Sequence, residues 1–103
     1  MDLITEIHRK LTNGEFEFTR HAVDRMLLRH ISVKEVKDAV QNGVVIEDYP
    51  YDKYGPSCLI LGLTKTNRPL HIQCSYPARH RIKIITVYEP DPASWQDNWS
   101  RRI

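Results

Sequence analysis

The hydrophobic period of this chain changes once, at Gly43, and that change constrains the fold more than any other feature. Before it, apolar residues recur at helical spacing. Leu3, Ile4, Ile7 and Leu11 mark a first helix, Ala22, Met26 and Leu27 a second, and Val33, Val36 and Val40 a third. After it the period drops to two, in "VVIEDY", "SCLILGLT", "LHIQCSY" and "IKIITVYE". The separators "PYDKYGP", "KTNRP" and "PARHR" are too short to hold a crossover helix, so consecutive runs pair antiparallel. The expected domain is α+β, with N-terminal helices packed on one face of a four-stranded antiparallel sheet. Its 103 residues suffice for one core, so 1–103 reads as a single domain: helices over residues 1–43, a sheet over 44–90 and a C-terminal segment over 91–103.

Local chemistry refines this outline. "NG" at 13–14 stops the first helix, and "EFEF" is either a short strand or an extended linker. Thr19 can cap the second helix, and Ser32 with Glu35 forms a capping box for the third. Gly43 is expected to supply a left-handed stop. Asp91 as cap and Pro92 at a first helical position predict a short last helix, with Trp95 and Trp99 four apart on it.

Side-chain alternation then assigns the faces of the sheet. Placing Ile72 and Cys74 with Ile85 and Val87 on the helix-covered face leaves His71, Gln73, Ser75, Thr86 and Tyr88 together on the other. A histidine and a phenol near the middle of a polar face can move protons. A second polar feature is the stripe His21, Arg25 and Arg29 on the second helix, four residues apart with no acid among them. It reads as an anion-facing surface, with Asp24 one residue off the stripe as the competing source of pairing.

Composition excludes several classes. The longest apolar runs are four or five residues, so no membrane span is expected. The start of the chain lacks the apolar stretch of a signal peptide. Cys58 and Cys74 have no CxxC partner and read as buried free thiols, which makes the cytoplasm the expected compartment. A metal site from His21, His71 and a cysteine has no ligand spacing behind it, and no metal or cofactor is expected. The net charge of +2 hides a tilt. Residues 1–50 carry seven basic and nine acidic side chains, residues 51–103 eight and four. The excess lies in "ARHRIK", with Arg81 and Lys83, and in the closing "SRRI", with Arg101 and Arg102; both fit phosphate contacts or an acidic protein partner.

The segments "FTRHAVDRM", "GPSCLILG", "RPLHIQ" and "IITVYEPDP" with Trp95 beyond them resemble a family of small bacterial proteins, domain of unknown function 4258. The resemblance runs from about Phe18 to Arg102. Members of that family are often encoded beside a small zinc-finger, helix-turn-helix antitoxin. The helix-then-sheet order is similar to that of RelE and BrnT toxins, mRNA endonucleases neutralised by a directly bound antitoxin. The resemblance therefore implies a toxin of a type II toxin–antitoxin pair, a metal-independent endoribonuclease acting on mRNA, with RNA and an antitoxin protein as partners. It carries over His21, Arg25, His71 and Tyr88 as catalytic positions. His71 or His21 would take the ribose 2′-OH proton, and Arg25, supported by Arg29 or Arg81, would stabilise the phosphorane charge. Tyr88 would position the leaving oxygen or stack on a base. The alternative is a non-catalytic module that binds RNA or protein through the same basic face.

Overall fold

A computed structural model describes residues 2–103. Helix α1 (Leu3–Thr12) starts at Asp2, whose carboxylate accepts the N–H of Ile4, and it buries Ile7 and Leu11. Gly14, in the left-handed region at φ 73°, turns the chain out of it. Strand β1 (Phe16–Phe18) follows. Thr19 then caps helix α2 (Arg20–Arg29) by accepting the N–H of Ala22 at 3.1 Å. Ser32 and Glu35 close a complete capping box on helix α3 (Val33–Gln41). Gly43 does not take the left-handed conformation expected of it. Its lack of a side chain matters for space: a Cβ there would lie 2.7 Å from the Ile60 side chain and 2.8 Å from the Ala39 carbonyl.

Strands β2 (Val44–Tyr49), β3 (Ser57–Leu63), β4 (Pro69–Ser75) and β5 (Ile82–Tyr88) form the antiparallel meander that the short separators require. The sheet nevertheless has five strands and is mixed, in the order β1-β5-β4-β3-β2. The three residues of β1 run parallel to β5, Phe16 opposite Ile82 and Phe18 opposite Ile84. The separator argument governs only strands consecutive in sequence. β1 reaches the free edge of β5 after α1, and Ile82 N–H to Glu15 carbonyl and Thr19 N–H to Ile84 carbonyl bonds, both 3.0 Å, extend the pairing. The four-stranded, purely antiparallel sheet is thereby corrected to a five-stranded mixed one.

One face of this sheet packs against the three helices. Ile60, Leu70, Ile72 and Cys74 meet Ala22, Met26, Val36 and Ala39 in a continuous buried cluster. α3 crosses β3 at backbone distance, since a Cβ on Gly62 would fall 1.8 Å from the Ala39 carbonyl oxygen. Cys58 and Cys74, opposite one another on β3 and β4, are buried free thiols with sulfurs 4.0 Å apart. The phase assigned to β5 needs correction. Gln73 pairs with Thr86 but Cys74 pairs with Ile84, so Ile85 is an extra, bulged residue. Ile84 and Val87 therefore both face the helices, and Ile85 does not join the core cluster.

The C-terminal segment is not a helix. Asp91 holds one turn, accepting from Ser94 and Trp95. The chain then makes a hairpin of β6 (Trp95–Gln96) and β7 (Arg101–Arg102). Asp97, Asn98 and Trp99 between them all have positive φ, 52°, 55° and 66°. Such residues cost roughly 1 kcal/mol each or more, so tertiary contacts must hold the turn. Those contacts lie on the second face of the sheet.

Candidate functional site

The second face carries His71, Gln73 and Ser75 from β4, Thr86 and Tyr88 from β5, and Leu59 and Leu61 from β3. A bulge between Val45 and Glu47 turns Glu47 and Tyr49 of β2 onto it as well. The C-terminal hairpin covers the half nearest His71. The Trp95 ring stands edge-on to the imidazole, centroids 4.3 Å apart, and Arg102 lies 4.7 Å over Trp95. Arg102 also donates twice to the Glu47 carboxylate, at 2.8 and 3.1 Å, and Tyr49 donates its hydroxyl to the same carboxylate.

Beneath this roof His71 is completely buried and both ring nitrogens are engaged. Nε2 lies 2.8 Å from the Trp99 carbonyl and Nδ1 lies 3.1 Å from the Tyr88 hydroxyl. A carbonyl can only accept, so Nε2 carries the proton and Nδ1 accepts from Tyr88. Burial pushes the His71 pKa below its usual value, against the opposing pull of the Trp99 carbonyl and Glu47. Burial likewise pushes Tyr88 up. For Glu47, burial works to raise the pKa, but the Arg102 and Tyr49 bonds outweigh it and hold the carboxyl low. Tyr49 is pushed up to about 12 by burial and by Glu47. The cluster is thus a neutral imidazole–phenol pair closed by an anchored ion pair.

The other half of the face is open. A groove of about 700 Å³ runs over Gln73, Ser75, Lys83 and Ile85, between the β2–β3 loop with Tyr54 and the β4–β5 loop with Arg79. That volume lies in the range of ligand sites.

The sequence-derived candidates divide between these places. His71 and Tyr88 pair directly in register and form the buried cluster. Lys83 lines the groove, and Arg81 is exposed in the turn before β5. Arg102 is committed to Glu47 and Trp95, and Arg101 pairs with Asp97 at 2.6 Å. His21 and Arg29 are exposed and Arg25 half-buried on α2, whose buried residues join the helix-side core. None of the three contributes a hydrogen bond or ring contact to the His71–Tyr88 pair among the described residues.

Sequence reading missed Glu47 and Tyr49, whose facing depends on the β2 bulge, and Arg79, whose loop carries no periodicity. It also missed Arg68. That guanidinium donates to the Arg29 and His30 carbonyls and to the Glu35 and Glu89 carboxylates, clamping the end of α2 to α3 and to the end of β5. Among the described residues no three His, Cys, Asp or Glu side chains gather as a metal site, and no helix is long and apolar enough to cross a membrane.

A family model described as "Domain of unknown function (DUF4258)" matches residues 18–89. No curated protein and no solved structure matches the chain.

Proposed function

The chain belongs to the DUF4258 family, whose function is unknown, and from that premise we propose that it is the toxin of a toxin–antitoxin pair, cutting RNA without a metal. The observation that carries this reading is the His71–Tyr88 pair on the same sheet face as an open, cation-bearing groove. The resemblance to RelE and BrnT toxins agrees with it, and an antitoxin protein is the partner it calls for.

The present hairpin holds the imidazole in the wrong tautomer for catalysis, because the Trp99 carbonyl demands the proton on Nε2. Withdrawal of that carbonyl frees the ring to shift its proton to Nδ1, which then donates to the Tyr88 oxygen. Nε2 is left unprotonated and able to take the ribose 2′-OH proton. The 2′-oxygen attacks phosphorus, the bond to the 5′-oxygen breaks, and the departing oxygen receives the proton. The products are a 2′,3′-cyclic phosphate and a 5′-hydroxyl. Lys83 and Arg81 are the cations assigned to the phosphorane charge, since Arg25, on α2 against the helix-covered face, lies on the other side of the sheet from His71.

The second reading, an RNA-binding module without catalysis, is favoured by the complete burial of His71 and the occupation of both its nitrogens.

One experiment separates the two. The full chain and a form lacking residues 97–103, which keeps Trp95, are incubated with single-stranded RNA and the ends analysed. Cyclic-phosphate ends that grow on truncation and vanish with His71→Gln support catalysis. Intact RNA with both forms leaves the binding module. In a bacterium, expression of the full chain is expected to slow growth, and His71→Ala to relieve it while the protein stays folded.

A further inference from the structure

We propose that the open half of the polar sheet face is a track for single-stranded RNA, with Tyr54 as the stacking platform and Arg79 and Lys83 as the phosphate contacts. This rests on the RNA-directed reading above and names where the RNA lies.

Three observations converge on the groove. Its floor is polar sheet, Gln73 and Ser75, with the apolar Ile85 placed there by the β5 bulge. Its walls carry a solvent-facing aromatic ring: Tyr54 is 84% exposed at the groove edge, and Tyr51, in the same loop, is 96% exposed. Lys53 lies 4.9 Å over the Tyr54 ring, so the platform already has a cation beside it. Its charge is also unspent. Among the described residues Lys53, Arg79, Arg81 and Lys83 form no ion pair, although most other cations of the sheet and tail do. Asp52, the one acid in the lining, is occupied by the Tyr54 N–H and the Ser57 hydroxyl.

Exposed π-faces beside unpaired cations are what binds unstacked bases and their phosphates. A double helix keeps its bases stacked inside and offers Tyr54 nothing, so the groove should select single strands. A free small anion would use the cations and ignore the tyrosine. A protein partner would leave no reason for the affinity to track phosphate number.

The test is fluorescence anisotropy of the full chain with an end-labelled single-stranded RNA oligonucleotide across a salt series. Wild type is expected to bind, more tightly than it binds a duplex of the same length. Arg79→Gln with Lys83→Gln should weaken binding at least tenfold and flatten the slope of log affinity against log salt by about 1.4, as two phosphate contacts are lost. Tyr54→Ala should weaken it roughly five- to hundredfold with the slope unchanged. Lys34→Gln, on α3, should bind as wild type, and far-ultraviolet circular dichroism checks that each variant is folded. Equal affinity and slope in the double variant, equal binding of duplex, or no binding by wild type each overturns the track, the last leaving the groove to a protein partner. RNA that binds in the groove but is never cut overturns the catalytic reading alone.

Discussion

The Tyr88 hydroxyl donates to His71 Nδ1 across a directly paired position of β4 and β5, while the far side of the ring donates to the Trp99 carbonyl. The imidazole is neutral because charging it away from water is costly, and this outweighs the Trp99 carbonyl and Glu47, which favour the charged ring. In nitrogen NMR, the His71 ring is expected to remain the Nε2–H tautomer at pH values where an exposed histidine is protonated.

That arrangement predicts a pH dependence of stability with a definite sign. An unfolded histidine titrates near 6.5 and the folded His71 lower, so the unfolded chain takes up this proton first as the pH falls. The contribution of the buried neutral ring is full above about 6.5 and is lost as the pH falls from there through the folded pKa. Urea denaturation at pH 7.5 and 5.5 should show a larger loss for wild type than for His71→Gln. The other histidines are common to both proteins, so an equal loss would remove His71 as the source.

Trp95 is the element of the hairpin that excludes water from His71. It is 6% exposed, and Trp95→Ala should cost about 3 kcal/mol of folding free energy. The same substitution should move the His71 pKa up toward its ordinary value, because hydration of the charged form returns. A stability loss without a change in His71 titration would mean that Trp99 alone sets the ring's environment.

How much of this was legible in sequence depends on the range of the interactions. The helix caps at Thr19 and Ser32 are local hydrogen bonds, and the residue types announce them. That His71 and Tyr88 share one face was legible because the apolar partners Ile72 and Val87 claim the other. The bulges at Ile46 and Ile85 were not, since a bulge is decided by the partner strand. Strand β1 is too short to show a period and is made by the edge of β5. The tail failed as a helix because Trp95 gains more from covering His71 than a four-residue spacing gains from one exposed turn, and Asp97 and Asn98 tolerate the left-handed turn this requires.

The close crossing of α3 over β3 gives a prediction independent of any function. Gly62→Ala forces a Cβ into the Ala39 carbonyl, a backbone group that cannot rotate away, so the helix must lift from the sheet. A loss of about 3 kcal/mol or more is expected. Gly14→Ala meets no atom and pays only for its φ of 73°, about 1 kcal/mol. Comparable losses in the two variants would show that α3 does not sit this close to β3.

Arg68 supplies the last test, of what holds α2 in place. Its guanidinium satisfies the carbonyls of Arg29 and His30, at 2.9 and 3.0 Å, which the end of α2 would otherwise leave without helical partners. The same group bridges Glu35 and Glu89, and its side chain is 26% exposed, so solvent screens these pairs incompletely. Arg68→Ala should lose about 2 kcal/mol. Arg68→Lys should recover less than half of that, because one ammonium cannot reach two carbonyls and two carboxylates from a single point. Glu35 also closes the capping box of α3, so Glu35→Gln separates the two functions: it keeps the Ser32 bond while weakening the ion pair. Amide exchange at the last turn of α2 is the readout. It should speed up in Arg68→Ala, change little in Glu35→Gln, and stay unchanged in both only if the clamp contributes nothing to that turn.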